Sequence, residues 1–288
     1  MKRKIVQFGT LLLTNLNLKG FLNGTIYKGP LKNICVPGLN CYSCPGALGS
    51  CPLGALQAVI GSMKYQISFY VMGFLTLFGI AFGRLICGWL CPFGLVQDLL
   101  YKIRVRKVTV PSALDRRLRY LKYLILLTFV LLFPLLLTNA LGIAPPYFCQ
   151  WICPSGTLFG GIPLMLTQPS LRSAIGFLFQ WKMLLLILFL AGAVILYRPF
   201  CKYVCPLGAI YAFFNRFSFY QMEVDKESCC GCGGCEKACP MQVPVREHPN
   251  HRECIRCGVC RSHCPSGALQ SRLPRRKTKA GIPEETLL

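Results

Sequence analysis

Apolar and charged residues are segregated into blocks along this chain. Charge is absent from Ile5 to Leu18, Tyr65 to Gly83, Tyr123 to Ile152 and Met183 to Tyr197, and basic residues crowd the ends of these blocks. Tyr65 to Gly83 is nineteen residues long, enough for one crossing of a roughly 30 Å hydrocarbon core at about 1.5 Å per helical residue. A second clear span starts near Tyr120 and leaves by about Asn139, before Pro145 and Pro146. The third, Met183 to Tyr197, extends backwards through Phe177, Leu178, Phe179 and Trp181. Ile5 to Leu18 is the weakest span: Asn15 and Asn17 are costly in lipid, Lys19 would have to snorkel, and an interfacial helix is the alternative. The pattern predicts an all-α polytopic membrane bundle of about four transmembrane helices over residues 1–215, interrupted by an extracytoplasmic loop at 23–64.

Composition agrees with that pattern. Of 288 residues, 53% are hydrophobic and only 15% charged, a membrane profile. The formal charge of +22 would suggest nucleic acid in a soluble chain; here basic residues flank apolar runs as the positive-inside rule expects, and no nucleic-acid partner is predicted. Lys102, Arg104, Arg106, Lys107, Arg116, Arg117, Arg119 and Lys122, against Asp98 and Asp115, place the loop after the first clear span in the cytoplasm. Lys2, Arg3 and Lys4 precede an apolar stretch without a convincing small-residue cleavage site, so the first segment is expected to be retained.

Nineteen cysteines demand a use. From Glu227 to Ser266 they fall into two C-x2-C-x2-C-x3-C-P runs, Cys229, Cys232, Cys235, Cys239-Pro240 and Cys254, Cys257, Cys260, Cys264-Pro265. This is the bacterial pattern for a pair of [4Fe-4S] clusters, in which the fourth cysteine of each run serves the neighbouring cluster. The predicted sets are Cys229, Cys232, Cys235 with Cys264, and Cys254, Cys257, Cys260 with Cys239; Cys230 is a spare. Zinc needs four ligands in two pairs, whereas each run supplies four cysteines with proline after the last. Spacings of two residues would strain disulfides. Residues 216–270 are therefore expected to form an α+β two-cluster ferredoxin-like module, and the Arg, Lys, Pro and Glu-rich residues 271–288 a disordered tail.

A second motif follows each clear span: Cys87-x3-Cys91-Pro-Phe-Gly94, Cys149-x3-Cys153-Pro-Ser-Gly156 and Cys201-x3-Cys205-Pro-Leu-Gly208. Proline has no N–H to waste and its fixed φ suits a first helical turn, so each second cysteine marks a helix start, where negative charge is favoured. With the basic loop inside, Cys87, Cys91, Cys201 and Cys205 share the inner face, four thiols for one cluster. The outer face holds Cys35, Cys41, Cys44, Cys51, Cys149 and Cys153. The expected outer ligands are Cys41, Cys44 and Cys51 plus one of Cys149 or Cys153. On an oxidising face a disulfide or redox-active dithiol, Cys149 with Cys153, is the competing reading. Up to four [4Fe-4S] clusters are thus accommodated.

The spans, the C-x3-C-P motifs and the double cluster run together resemble the NapH-like family of membrane 4Fe-4S binding proteins, with related cores in the nitrous oxide reductase regulator and the cytochrome oxidase accessory protein. The resemblance covers roughly Tyr65 to Ala268 and is specific at Cys87/Cys91, Cys201/Cys205 and the eight ferredoxin cysteines. It implies four transmembrane helices, both termini inside, a multi-pass protein of the cytoplasmic membrane with its ferredoxin-like domain in the cytoplasm, and electron transfer between a quinol or cytosolic donor and an outside acceptor. Cysteines after the second clear span and in the Cys35 to Cys51 loop depart from that family and point to a subgroup with its own outer partner.

The remaining residues narrow the chemistry. Only His248, His251 and His263 occur and no C-x-x-C-H is present, which excludes histidine-ligated haem in the membrane half. No G-x-G-x-x-G dinucleotide fingerprint occurs. The expectation is an electron-transfer subunit of an oxidoreductase, with a quinol dehydrogenase as the candidate activity, with membrane lipid around it and a redox protein on each side or a quinone as partners. The alternative is a redox sensor or metal-reducing assembly factor for a partner metalloenzyme. A bilayer core of about 30 Å is long for a single electron hop, so the motifs must dip inward or another cofactor must bridge.

Overall fold

A computed structural model of the chain describes residues 2–62, 68–140 and 142–272. The expected beginning of the first clear span, Tyr65 to Ile67, and residues 273–288 of the expected tail lie outside the described residues. Eight helical segments build the larger part: α1 (Lys2–Thr14), α2 (Pro52–Gly61), α3 (Phe69–Phe82), α4 (Pro92–Leu100), α5 (Ser112–Leu136), α6 (154–167), α7 (Phe177–Ile195) and α8 (Pro206–Phe214). Four of them, α2, α4, α6 and α8, begin on a proline whose preceding cysteine is the N-cap. Those cysteines are extended, with φ −71° at Cys51, −77° at Cys91, −67° at Cys153 and −67° at Cys205. Proline at the first helical position needs no hydrogen-bond partner and disfavours helical backbone just before it, which ties the chain direction at each cysteine.

In chain order the eight segments are one unit used twice: long helix, Cys-Pro helix, long helix, Cys-Pro helix. Helices α1 to α4 form the first unit and α5 to α8 the second. Within residues 1–215 three C-P-x-G phrases have a cysteine four residues earlier; Cys51-Pro52-Leu53-Gly54 is a fourth C-P-x-G there, with Ala47 at the earlier position.

Among the described residues, two helices are long and apolar enough to cross a membrane, α5 with 25 residues and α7 with 19. The other two expected spans are shorter: α3 has 14 residues and α1 has 13, about 20 Å of helix each. Apolar side chains on these helices face outward: Leu124, Leu127, Leu184, Ile187, Leu188, Phe69, Met72 and Leu77 are all exposed. Ile86, Phe93, Phe148, Phe200, Leu207 and Tyr211 fill the centre, and each Cys-Pro helix packs against long helices around it. Wide π-type turns occupy Leu126–Leu132 and Thr157–Gly161. Each stops just before a proline, Pro134 or Pro163, whose missing N–H leaves the carbonyl four residues back free for another donor.

Residues 221–272 add two antiparallel strands, β1 (Gln221–Val224) and β2 (Leu269–Arg272), and two one-turn helices at Gly234–Lys237 and Val259–Ser262. Gln221 pairs with Arg272, two residues into the stretch expected to be a tail. Buried ion pairs attach it to the helices. Arg84 and Lys122, both fully buried, donate to Glu253 at 2.5 Å, Lys122 reaching its second oxygen at 2.6 Å.

Burial alone would raise the Glu253 carboxyl; Arg84 and Lys122 beside it hold it at about 2. Its contribution to stability is therefore complete above the ordinary carboxyl range and is lost as the pH falls toward 2. Glu253→Gln leaves two buried cations without their anion and is expected to cost about 3–5 kcal/mol. Thermal unfolding of the purified protein at pH 7 should show the loss, and an unchanged melting temperature would refute it.

Candidate metal centres

The inner set is gathered from both units. Cys87 and Cys91 lie within electrostatic reach of Cys201 and Cys205, and all four are buried. Two arginines that precede the motifs by three residues hold them crosswise. Arg84 Nη2 donates to the carbonyl of Cys201 (3.1 Å), and Arg198 Nη1 donates to the carbonyl of Cys87 (2.6 Å). Arg198 also grips Asp98 with two hydrogen bonds of 2.7 Å, and Arg3 adds a third at 2.9 Å. Gln97 Nε2 donates to Cys201 Sγ at 3.0 Å. Glycine is required at the sites of crossing: a Cβ at Gly94 would sit 3.1 Å from the Cys87 carbonyl oxygen and 3.3 Å from Arg198, and one at Gly208 3.3 Å from the Cys201 carbonyl oxygen.

The outer cysteines divide differently from the sequence expectation. Cys149 lies within reach of Cys153, Cys51 and Cys41, and Cys153 within reach of Cys41. Cys44 lies within reach of Cys41, its backbone N–H donating to the Cys41 carbonyl at 3.1 Å, and its Sγ is 3.5 Å from Asn15 Oδ1. The backbone N–H of Cys35 donates to the Tyr70 hydroxyl (3.2 Å). The gathered outer four are thus Cys41, Cys51, Cys149 and Cys153, with both members of the 149/153 pair and without Cys44. All nineteen cysteines are free thiols, so the structure does not form the disulfide considered for Cys149 and Cys153.

In residues 221–272 the cysteines line two recesses. One is walled by Cys229, Cys230, Cys232, Cys235 and Cys264, the other by Cys239, Cys254, Cys257 and Cys260. Each draws three cysteines from one run and the last from the other, the interlacing that the spacing predicts; the spare Cys230 is exposed at the mouth of the first. The left-handed turns at Gly231, Gly233 and Gly258 shape the cysteine loops, a backbone region glycine enters without strain.

The donor set fits [4Fe-4S] clusters. Among the described residues, no three His, Cys, Asp or Glu side chains close round one point as a lone metal ion needs; zinc would require four ligands about 2 Å from a single centre. Burial pushes the metal-free thiol of Cys254 up to about 11 and that of Cys260 up to about 12, so the thiolates need a bound cation.

The second recess touches the inner set. Ile255, between Cys254 and Cys257, lies against Gly88, where an added Cβ would run into the Ile255 carbonyl oxygen. Trp89 Nε1 donates to the carbonyl of Arg256 (3.0 Å), and Arg256 donates to the carbonyls of Phe82 and Asn215 (2.9 and 2.8 Å).

Comparison with known proteins accords with this geometry. A 4Fe-4S binding domain matches the chain over residues 66–111, 123–164 and 178–220, once around each C-x3-C-P, and a second 4Fe-4S binding domain matches residues 248–270. An uncharacterized protein of Methanocaldococcus jannaschii is 34% identical over 203 residues, 68% of each chain. The methylamine utilization ferredoxin-type protein MauN of Methylobacillus flagellatus is 32% identical over 252 residues, 81% of this chain and 78% of that protein. The chain belongs to the NapH/NosR-like 4Fe-4S family. Its cofactors are [4Fe-4S] clusters. The family member named regulatory protein NosR, of Stutzerimonas stutzeri, is 28% identical over 179 residues, 58% of this chain but 21% of its own length. No solved structure matches. Arg84, Arg198, Gln57 and Gln97 went unnoticed in the sequence, although R-x2-C-x3-C-P occurs twice and could have marked the arginines.

Gly88→Ala is expected to loosen the seat of the ferredoxin-like part. Limited proteolysis should cut the variant severalfold faster within residues 216–226. Gly73→Ala, with nothing within 4 Å of its new Cβ, should match wild type. Equal cutting of all three proteins would refute the contact.

Proposed function

We propose that this iron–sulfur electron-transfer protein works across a membrane, between a quinol or cytosolic donor and an extracytoplasmic acceptor. The observation that carries the reading is the continuity of the cysteine sets. The second recess abuts Gly88 beside Cys87. Tyr211, fully buried, donates to the carbonyl of Pro37 (2.9 Å) and lies within reach of Cys87 and Cys91 as well as of Cys51 and Cys35. The proposed cluster ligands are Cys229, Cys232, Cys235 and Cys264; Cys254, Cys257, Cys260 and Cys239; and Cys87, Cys91, Cys201 and Cys205. When bound, [4Fe-4S] clusters supply one-electron carriers of low reorganisation cost, and the chain supplies their spacing, their charge balance and the exclusion of water.

The outward apolar faces of α5 and α7 and the basic stretch between α4 and α5 support a membrane location with the ferredoxin-like part inside. The length problem eases because the motifs dip inward. Helix α1 runs from Arg3 at Asp98, beside the inner set, to Asn15 at Cys44, beside the outer set, a path of about 18 Å against a core of about 30 Å. A cleft of about 880 Å³ between α5 and the ferredoxin-like part, walled by Arg119, Tyr120, Tyr123, His248 and His251, opens next to Glu253 and supports donor entry there. The sensor or assembly-factor reading draws on the regulatory name of the Stutzerimonas relative; sustained turnover with a reduced donor would separate it from the carrier.

Anaerobically purified protein should contain at least about twelve irons and twelve acid-labile sulfides per chain, three cubanes' worth. A count near eight would mean that the inner set holds none. Membrane-impermeant thiol labelling of single-cysteine variants, denatured in place, should mark position 149 from outside and position 87 from inside. The reverse pattern would overturn the orientation.

A further inference from the structure

The outer set repeats the inner set contact by contact. In each, one cysteine is the N-cap of an early Cys-Pro helix, Cys91 or Cys51, and a second is the N-cap of a late one, Cys205 or Cys153. Six residues after the early N-cap stands a buried glutamine, Gln97 or Gln57. Gln97 Nε2 donates to Cys201 Sγ at 3.0 Å, and Gln57 Nε2 donates to Cys149 Sγ at 3.3 Å. In both cases the acceptor is the first cysteine of the late C-x3-C motif. Six residues after the late N-cap stands an aromatic ring, Tyr211 or Phe159.

A cation caps that first cysteine's carbonyl in both sets: Arg84 on Cys201 at 3.1 Å and Lys182 on Cys149 at 3.2 Å. The glycine of each C-P-x-G faces the ligand group. A Cβ at Gly54 would sit 3.8 Å from Cys149 Sγ, and one at Gly156 would sit 3.7 Å from Cys41 Sγ and 3.8 Å from Lys182 Nζ. The hydroxyls of Ser155 and Thr157, on either side of Gly156, are buried without a hydrogen-bond partner among the described residues. A site built for an anionic group ringed with sulfur leaves such donors free.

One position differs. Cys41 stands for Cys87, and it comes from ten residues before Cys51 rather than four. The buried Lys32, bonded to the carbonyl of Ala47 at 2.8 Å, lies within electrostatic reach of Cys44 and of Cys41. A disulfide or dithiol would need two sulfurs; it would leave the glutamine, the lysine and two further thiols unexplained.

We propose that Cys41, Cys51, Cys149 and Cys153 hold a fourth [4Fe-4S] cluster, and that Gln57 and Gln97 are paired positioning residues that each donate an N–H to one ligand sulfur of their own cluster. An N–H···S bond draws charge from the sulfur and favours the reduced state. This inference rests on the reading of the inner set as a cluster site, and it extends that reading to the acceptor face.

The test is metal and sulfide analysis of the full-length protein in detergent, with redox titration followed by electron paramagnetic resonance. Wild type should contain about sixteen of each, four cubanes. Cys149→Ala and Cys41→Ala should each lose about four irons, and Cys44→Ala none. Cys201→Ala should lose about four from the other membrane site. Gln57→Leu should keep the full iron count and lower the midpoint potential of one cluster; Gln97→Leu should do the same to a different cluster. A wild-type count near twelve, with Cys201→Ala reduced to about eight, would overturn the fourth cluster and leave the proposed function standing. A Cys201→Ala variant that loses no iron would overturn the inner site itself. A Gln57→Leu variant with the wild-type potentials would overturn the positioning role. If Cys149→Ala fails to fold, the wild-type count and the Cys41→Ala and Cys44→Ala pair still decide.

Discussion

Everything in this structure depends on keeping cations buried beside the cysteines. Arg84 and Arg198 are fully buried, and a buried guanidinium is costly unless every donor finds an acceptor and its charge a partner. Arg198 meets that demand with all three nitrogens and Arg84 with both Nη atoms, each on a cysteine carbonyl of the other unit and on a carboxylate, Asp98 or Glu253, while Arg84 Nε has no partner among the described residues. Buried ion pairs are seldom retained for stability alone, since well-packed apolar groups serve as well. Here the cations have a second reason to stay: four thiolates around a cluster are anionic, and in a low-dielectric interior that charge must be balanced nearby. The same requirement fixes the ferredoxin-like part. Glu253 is next to Cys254, so the residue that neutralises Arg84 and Lys122 also sets the second recess against the membrane half.

The chemistry of the chain was more legible than its geometry. Cluster spacing is a local property, and the two cysteine runs reveal their interlaced sets because three ligands of each sit within seven residues. The C-x3-C-P motif is local too, and the four inner cysteines do come together. The outer set could not be read this way. Its motif at Cys51 lacks a cysteine four residues earlier, and Cys41 arrives through a folded loop. Cys44, nearer to Cys51 in sequence, is drawn off to Asn15. Gln57 and Gln97 were silent because a glutamine on an apolar helix shows no signature until its acceptor sulfur, more than ninety residues away, is in place. The spans were half legible: hydropathy reports where apolar residues are, but α3 starts only at Phe69, and the four Cys-Pro helices are too short to cross.

Those short helices answer the distance problem that the sequence raises. A thin barrier could come from a thin protein, but α5 and α7 are long enough for an ordinary bilayer. The approach instead comes from within. The Cys-Pro helices enter the middle of the bundle, and the outer loop follows them so far that a Cβ on Gly38 would stand 3.1 Å from the Cα of Cys91. Loop backbone at such depth is tolerable only where protein satisfies it. Tyr211 does so at Pro37, and Lys32 does so at Ala47. Packed side chains and one buried phenol therefore lie between the two cysteine sets. The loop that shortens the path also brings Cys41 and Cys51 to Cys149 and Cys153.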